Sequence, residues 1–162
     1  MTILKIGEKA PDFTLISSER KPVSLNEYKG KPTVILFYPG AFSGVCTTEL
    51  CSVRDDISAY NDLNAEVIGI STDTFFTLAK FKELNKLTFT LLSDYNKEVN
   101  AQYGAKYDTW IEGMKGNAKR SAFVLDREGI IQYAEVLDNA LENPNFEKIK
   151  ETLKQINAVV KA

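Results

Sequence analysis

Histidine is absent from the 162 residues, tryptophan occurs once, and there are only two cysteines and two methionines. Without imidazole the chain cannot assemble Ser-His-Asp or Cys-His nucleophilic catalysis, and a zinc site would have two thiolates and no ring nitrogen. An excess of positive charge is missing too, with 20 Lys and Arg against 22 acids and a formal net charge of -2. The charges are interspersed, so no basic patch marks a nucleic-acid or anionic-lipid partner. No apolar run approaches the roughly 20 residues that a membrane span needs. Met1 to Ile6 lacks a basic region followed by a long apolar stretch. The expected location is the cytosol, where cysteines are more often reactive than structural. What is present is an ordinary apolar and charged content, in a length that a single domain over residues 1–162 accounts for.

The chain is organised around Pro39 to Cys51, PGAFSGVCTTELC, which holds both cysteines. It follows Thr33 to Tyr38, a run of β-branched and aromatic residues that predicts a buried strand. From Cys46 the apolar spacing changes, since Cys46, Leu50, Val53 and Ile57 mark one face of a helix running roughly from Ser43 to Asn61. Cys46 then lies in the first helical turn, where unpaired backbone N–H groups and the positive end of the helix dipole favour an anion. The thiolate is the nucleophilic form of cysteine.

Elsewhere the pattern alternates. Phe13–Ile16 and Pro22–Leu25 predict a short hairpin, and Ala65–Ser71 a second buried strand. Thr72 or Asp73 is placed to cap a helix over Thr74–Leu84, with Leu78 and Phe81 facing inward. Leu87–Leu92 predicts a further strand, followed by a short helix near Glu98–Tyr103. Gly104–Lys119, which contains Trp110, shows no period and predicts a long loop, with the tryptophan packed in it or lining an approach to a site. Ser121–Leu125 and Ile130–Val136 flank a turn and predict an antiparallel hairpin. Asn145 is placed to cap a final helix whose stripe is Phe146, Ile149, Leu153, Ile156 and Val160. A β-α-β opening and a β-β-α close predict an α/β protein of thioredoxin-like fold, a central mixed sheet covered by helices on both faces, with an N-terminal hairpin extension.

These residues carry a resemblance. Pro39, Ser43 and Cys46 match the P-x-x-x-T/S-x-x-C signature of peroxiredoxins, with Glu49 matching the acid three residues on. Arg120 to Asp126, RSAFVLD, resembles the strand that carries the family's active-site arginine. Asp12 to Leu15 and Gly69 to Ser71 are similar to family segments as well, so the likeness runs along nearly the whole chain. A second cysteine five residues after the first resembles the Q-type or bacterioferritin-comigratory subgroup. The resemblance implies a thiol peroxidase without cofactor or metal, acting on hydrogen peroxide and organic hydroperoxides. In it Cys46 is the attacking thiolate, and Arg120 assists its ionisation and orients the peroxide. Ser43 hydrogen-bonds the substrate, backbone N–H groups near Val45 and Cys46 contact its oxygens, Pro39 shields the sulfur, and Glu49 holds an arginine. Gly44 stands where many relatives have proline, and with Gly40 it predicts a flexible loop.

The cysteine spacing adds a mechanical constraint of its own. Five residues along an α-helix place the two Cα atoms on the order of 8.6 Å apart, beyond the roughly 7 Å that a disulfide allows. Cys46 and Cys51 therefore cannot bond while the helix is intact. The resemblance implies that Cys51 resolves a Cys46 sulfenic acid after local unwinding and that thioredoxin or a similar dithiol reduces the disulfide. A one-cysteine peroxidase resolved by an outside thiol is a second reading, and a redox sensor or chaperone-like binding protein on the same fold is a third. A C-x-x-x-x-C spacing disfavours a thioredoxin-like exchanger, which would use C-x-x-C. Either a monomer or a homodimer is compatible with the sequence.

Overall fold

A computed structural model describes residues 4–160. The expectations for Met1 to Ile3 and for the side chain of Val160 lie outside the described residues. The strands are β1 (Thr14–Ser17), β2 (Pro22–Ser24), β3 (Thr33–Phe37), β4 (Glu66–Ser71), β5 (Thr90–Ser93), β6 (Ser121–Leu125) and β7 (Ile131–Val136). They form one sheet in the order β2-β1-β5-β4-β3-β6-β7. β3, β4 and β5 run parallel, β6 pairs antiparallel with β3, and the hairpins β1-β2 and β6-β7 close the two edges. This is a thioredoxin-like arrangement with an added N-terminal hairpin.

The helices are α1 (Gly44–Asp55), α2 (Ile57–Asp62), α3 (Phe75–Asn85), α4 (Val99–Gln102) and α5 (Phe146–Val160). β3 shows why the sheet is covered twice. Val34, Leu36 and Tyr38 point into a core with Cys46, Leu50, Phe81 and Leu153, whereas Ile35 and Phe37 point into a second core with Tyr103 and Phe123. A strand buried on both faces reads as an unbroken apolar run. The coverage is uneven, because α1, α2, α3 and α5 pack on the first face and only the short α4, with the Ala10–Phe13 segment and Leu25, packs on the second. In β4, Gly69 is required for close approach, since a Cβ there would lie 2.8 Å from Leu91 Cδ2 and 3.4 Å from Tyr38 Cε1.

Three boundaries differ materially from the sequence expectation. The helix expected from Ser43 to Asn61 is interrupted at Asp56, whose φ and ψ of -109° and 16° leave the helical range. Two adjacent acids at a helix C-terminus oppose the dipole, and Asp56 turns its carboxylate to Lys150 instead. The cap of α3 is Thr74, whose Oγ1 accepts from Thr77 N–H at 3.2 Å, not Thr72 or Asp73. Asp73 is diverted to another task, described below. β5 begins at Thr90, not Leu87, because Lys86 adopts a left-handed φ of 52° and Leu87 N–H returns to Lys82 O, spending those residues on the helix stop. Gly104–Lys119 is a long connection as expected, yet it is pinned by a bridge between Lys106 and Ala118 and holds a single 3-10 turn at Ile111–Gly113. Asn145 caps α5 as expected, its Oδ1 accepting from Lys148 N–H at 3.1 Å.

Candidate active site

The site forms where β3 ends, α1 begins and β6 begins. The chain leaves β3 through Tyr38 and buried Pro39, turns at Gly40 to Ser43, and enters α1 with Cys46 in its first turn and fully buried. Neither Gly40 nor Gly44 has a positive φ, and a Cβ at either would meet nothing within 4 Å, so neither is sterically required. The expected flexibility is answered by braces from distant elements. Asp73 Oδ2 accepts from Ala41 N–H at 2.8 Å and from Ser71 Oγ at 2.7 Å. Asn117 Nδ2 donates to Pro39 O at 3.2 Å, and the Phe42 ring meets Phe81 edge-on at 5.1 Å. Ser43 occupies the N-cap position of α1 without capping through its side chain, which donates instead to Gly40 O at 2.9 Å.

Arg120 reaches this loop from the start of β6. Its side chain is 1 % exposed, and its nitrogens make four donor contacts to three partners. Nη2 donates to Cys46 Sγ at 3.1 Å, Nη1 donates to Glu49 Oε1 at 2.6 Å, and Ala140 O accepts from both Nε (3.2 Å) and Nη2 (2.9 Å). The sequence-predicted residues Cys46, Arg120 and Glu49 are thus brought into one buried chain of contacts, with Ser43 and Val45 half-buried beside it. A strand-surface position for Arg120 is excluded by its burial. Above the guanidinium lies an open cleft of about 470 Å³, bounded by Ser43, Val45, Trp110, Arg120 and Leu141. Trp110 stacks on Tyr107 with the ring planes at 14°, so it both packs its loop and lines the cleft.

Cys51 is not part of this cluster. It lies on the same uninterrupted helix as Cys46, half-buried, and its S–H donates to Asn85 Oδ1 at 3.6 Å at the end of α3. Arg54 Nη1 donates to the carbonyl of the same Asn85 at 2.6 Å. Both thiols are free.

Electrostatics follow from the burial. Desolvation pushes the Glu49 pKa up, and the charge and hydrogen bond of Arg120 offset this only partly, leaving it at about 7 against an ordinary 4.5. Burial alone would lower the Arg120 pKa, but the charges of Glu49 and Cys46 and its hydrogen bonds to them raise it above its usual value. Glu49 therefore binds a proton more tightly in the folded than in the unfolded chain. Its stabilising contribution is complete below the ordinary carboxyl value and is lost as pH rises through about 7. Denaturant midpoints of Glu49→Gln should consequently fall less between about pH 4 and 8 than those of the unsubstituted protein. Equal slopes would show that Glu49 titrates normally.

The family of the chain is decided by comparison with known proteins. A model described as the AhpC/TSA family matches residues 6–134. The chain belongs to that family. It is a peroxiredoxin, a thiol peroxidase with two cysteines, acting on peroxide. Among its relatives, a putative peroxiredoxin bcp of Haemophilus influenzae is 39% identical over 132 residues, covering 81% of this chain and 85% of that one. A chloroplastic peroxiredoxin Q of Oryza sativa subsp. japonica is 37% identical over 153 residues, covering 94% and 67%. The crystal structure of Peroxidoxin BcpB from Mycobacterium tuberculosis superposes with a TM-score of 0.84 at 31% identity, covering 94% of this chain and 98% of that one. No helix among the described residues of this peroxiredoxin is long and apolar enough to cross a membrane.

Three contributors to the site were not found from the sequence. Ala140 acts through a main-chain carbonyl, which has no residue signature. Asp73 looked like a helix cap, and only the S-T-D order after β4, with a serine placed to turn the carboxylate, hinted otherwise. Asn117 sits in a loop without period, where sequence gives no direction.

Proposed function

We propose that Cys46 is the nucleophile that takes an oxygen from hydrogen peroxide or an organic hydroperoxide, and that Cys51 resolves the resulting sulfenic acid as an intramolecular disulfide. The observation that carries the reading is the 3.1 Å contact between Arg120 Nη2 and the buried Cys46 Sγ, with Arg120 itself lining an open cleft together with Ser43 and Val45. A fixed guanidinium beside the sulfur supports the anionic nucleophile and is placed to stabilise charge moving onto the leaving oxygen. Ser43 and the backbone N–H groups of Val45 and Cys46 orient the peroxide, Pro39 excludes water from one side, and Glu49 holds the arginine. The apolar side chains of Val45, Trp110 and Leu141 give a hydroperoxide's organic tail a place to lie.

For Cys51 to reach Cys46, the first turns of α1 unwind and the Asn85 contact is released. A thioredoxin-like dithiol then restores both thiols, a scheme suited to a reducing cytosol and complete in a monomer. Cys51→Ser should still consume one equivalent of peroxide per chain but lose dithiol-dependent cycling. Peptide mapping after one equivalent should show a Cys46–Cys51 disulfide in the unsubstituted protein. A stable sulfenic acid with Cys51 still free would replace this scheme with resolution by an external thiol.

A further inference from the structure

Arg120 is one cation bonded to two acidic groups, Glu49 and Cys46, and all three side chains are buried. Two anions there would leave an uncompensated negative charge in the core, which is strongly unfavourable. The groups that face Glu49 from neighbouring elements supply no second cation among the described residues. Tyr38 of β3 and Tyr60 of α2 are phenols kept neutral by burial. Near Tyr60, Asp56 and Glu147 both contact Lys150, and these two carboxylates are open to solvent rather than buried with Glu49. At the rim, Lys119 and Asp138 pair with each other at 2.8 Å. Glu49 itself shows an asymmetry, since Oε1 receives Arg120 while Oε2, equally buried, has no hydrogen-bond partner among the described residues. A carboxyl oxygen left without a donor is the one able to carry a hydrogen.

Oxidation changes this balance. The Cys46 thiolate attacks one oxygen of the hydroperoxide, an S–O bond forms, the O–O bond breaks, and two electrons pass from sulfur to the leaving oxygen. The hydroxyl stays on sulfur as sulfenic acid, and the leaving alkoxide or hydroxide takes up one proton to depart as alcohol or water. Arg120 has then lost the thiolate that balanced its charge. We propose that Glu49 holds a proton while Cys46 is a thiolate and surrenders it as the sulfur becomes a sulfenic acid, so that Arg120 faces one anion before and after the step. Glu49 acts through Arg120 as a positioning residue, and its proton enters the pocket as the leaving oxygen takes one from it. The direction of its titration, upward by burial, agrees with this. The inference rests on Cys46 being the oxidised residue.

Counting protons tests it. In weakly buffered solution at about pH 6.5, a pH indicator would follow the first kinetic phase after mixing with one equivalent of peroxide. Both proteins compared carry Cys51→Ser, so that the sulfenic acid is not resolved to a disulfide, and intact mass would confirm one oxygen added. Cys51→Ser with Glu49 in place should take up well under one proton per sulfenic acid formed, and the same protein with Glu49→Gln added close to one. Equal uptake in the two proteins overturns the proposal, whether the shared number is zero or one. An infrared difference spectrum of Cys51→Ser with Glu49 in place should also lose the carbonyl band of a protonated carboxyl on oxidation, and persistence of that band overturns the proposal even if Glu49→Gln fails to fold. If no oxygen is added to Cys46, the catalytic reading and the proton assignment fall together. If oxygen is added and the proton counts match, only the assignment falls.

Discussion

Cys46→Ser should reduce peroxide turnover to the uncatalysed level, a loss of at least about 10⁴-fold, as when other covalent enzymes lose their nucleophile. The substitution replaces a sulfur by a slightly smaller oxygen at a fully buried position. A serine hydroxyl there would still accept from Arg120 Nη2, so the guanidinium keeps all its partners and the core has little reason to rearrange. What is removed is an ionisable, polarisable atom able to attack an O–O bond. Peroxide consumption with a dithiol reductant reads the effect, and an unchanged thermal transition shows that the loss is chemical. Turnover within a factor of about ten of the original would end the assignment of Cys46.

The second large effect is expected at Arg120. Arg120→Ala removes four donor contacts together, stranding Glu49 in the core and leaving the Ala140 carbonyl without its two donors. Breaking a buried ion pair from one side destabilises a protein by about 3–5 kcal/mol. Losing a donor aimed at developing charge slows the chemical step by about 10² to 10³-fold. Arg120→Lys separates the two consequences, because an ammonium on a flexible stem retains the charge but cannot span Glu49, Cys46 and Ala140 at once. It should recover more of the stability than of the rate. Denaturant unfolding and the second-order rate of Cys46 oxidation, measured on both variants, check this. Equal rates for lysine and arginine would mean that the fork geometry is immaterial.

The parts of this site legible in the sequence were those in which residue identity and local spacing carry the information. Pro39, Ser43 and Cys46 fall within eight consecutive positions, and a change from strand to helix period located them between β3 and α1. Arg120 lies far away in the chain, yet its place ahead of Phe123, Val124 and Leu125 fixed it at the start of a buried strand. The fold was legible for a similar reason, since runs such as Thr33–Phe37 and the stripe of α5 have periods that only one element satisfies. The elements that moved did so where tertiary bonds compete with local preference. Asp73 would make a good cap, but Ala41 and Ser71 offer it donors, so Thr74 caps instead. The Ser43 to Asn61 helix would continue on apolar spacing alone, but Asp56 finds Lys150 on a helix ninety residues later. No local rule shows that Cys51 would face Asn85, because the partner belongs to another helix.

The interruption at Asp56 has a mechanical consequence. Helical order is cooperative, so a disturbance begun at one end tends to spread along the whole rod. Here the rod carrying the two thiols stops after Asp55, and the next residues are moored separately, Asp56 to Lys150 and buried Tyr60 in the core. Fraying that starts at Gly44 meets a natural seam within a dozen residues. On the proposed disulfide scheme, the segment between the sulfurs comes apart and re-forms on each cycle while the far side of the seam stays docked.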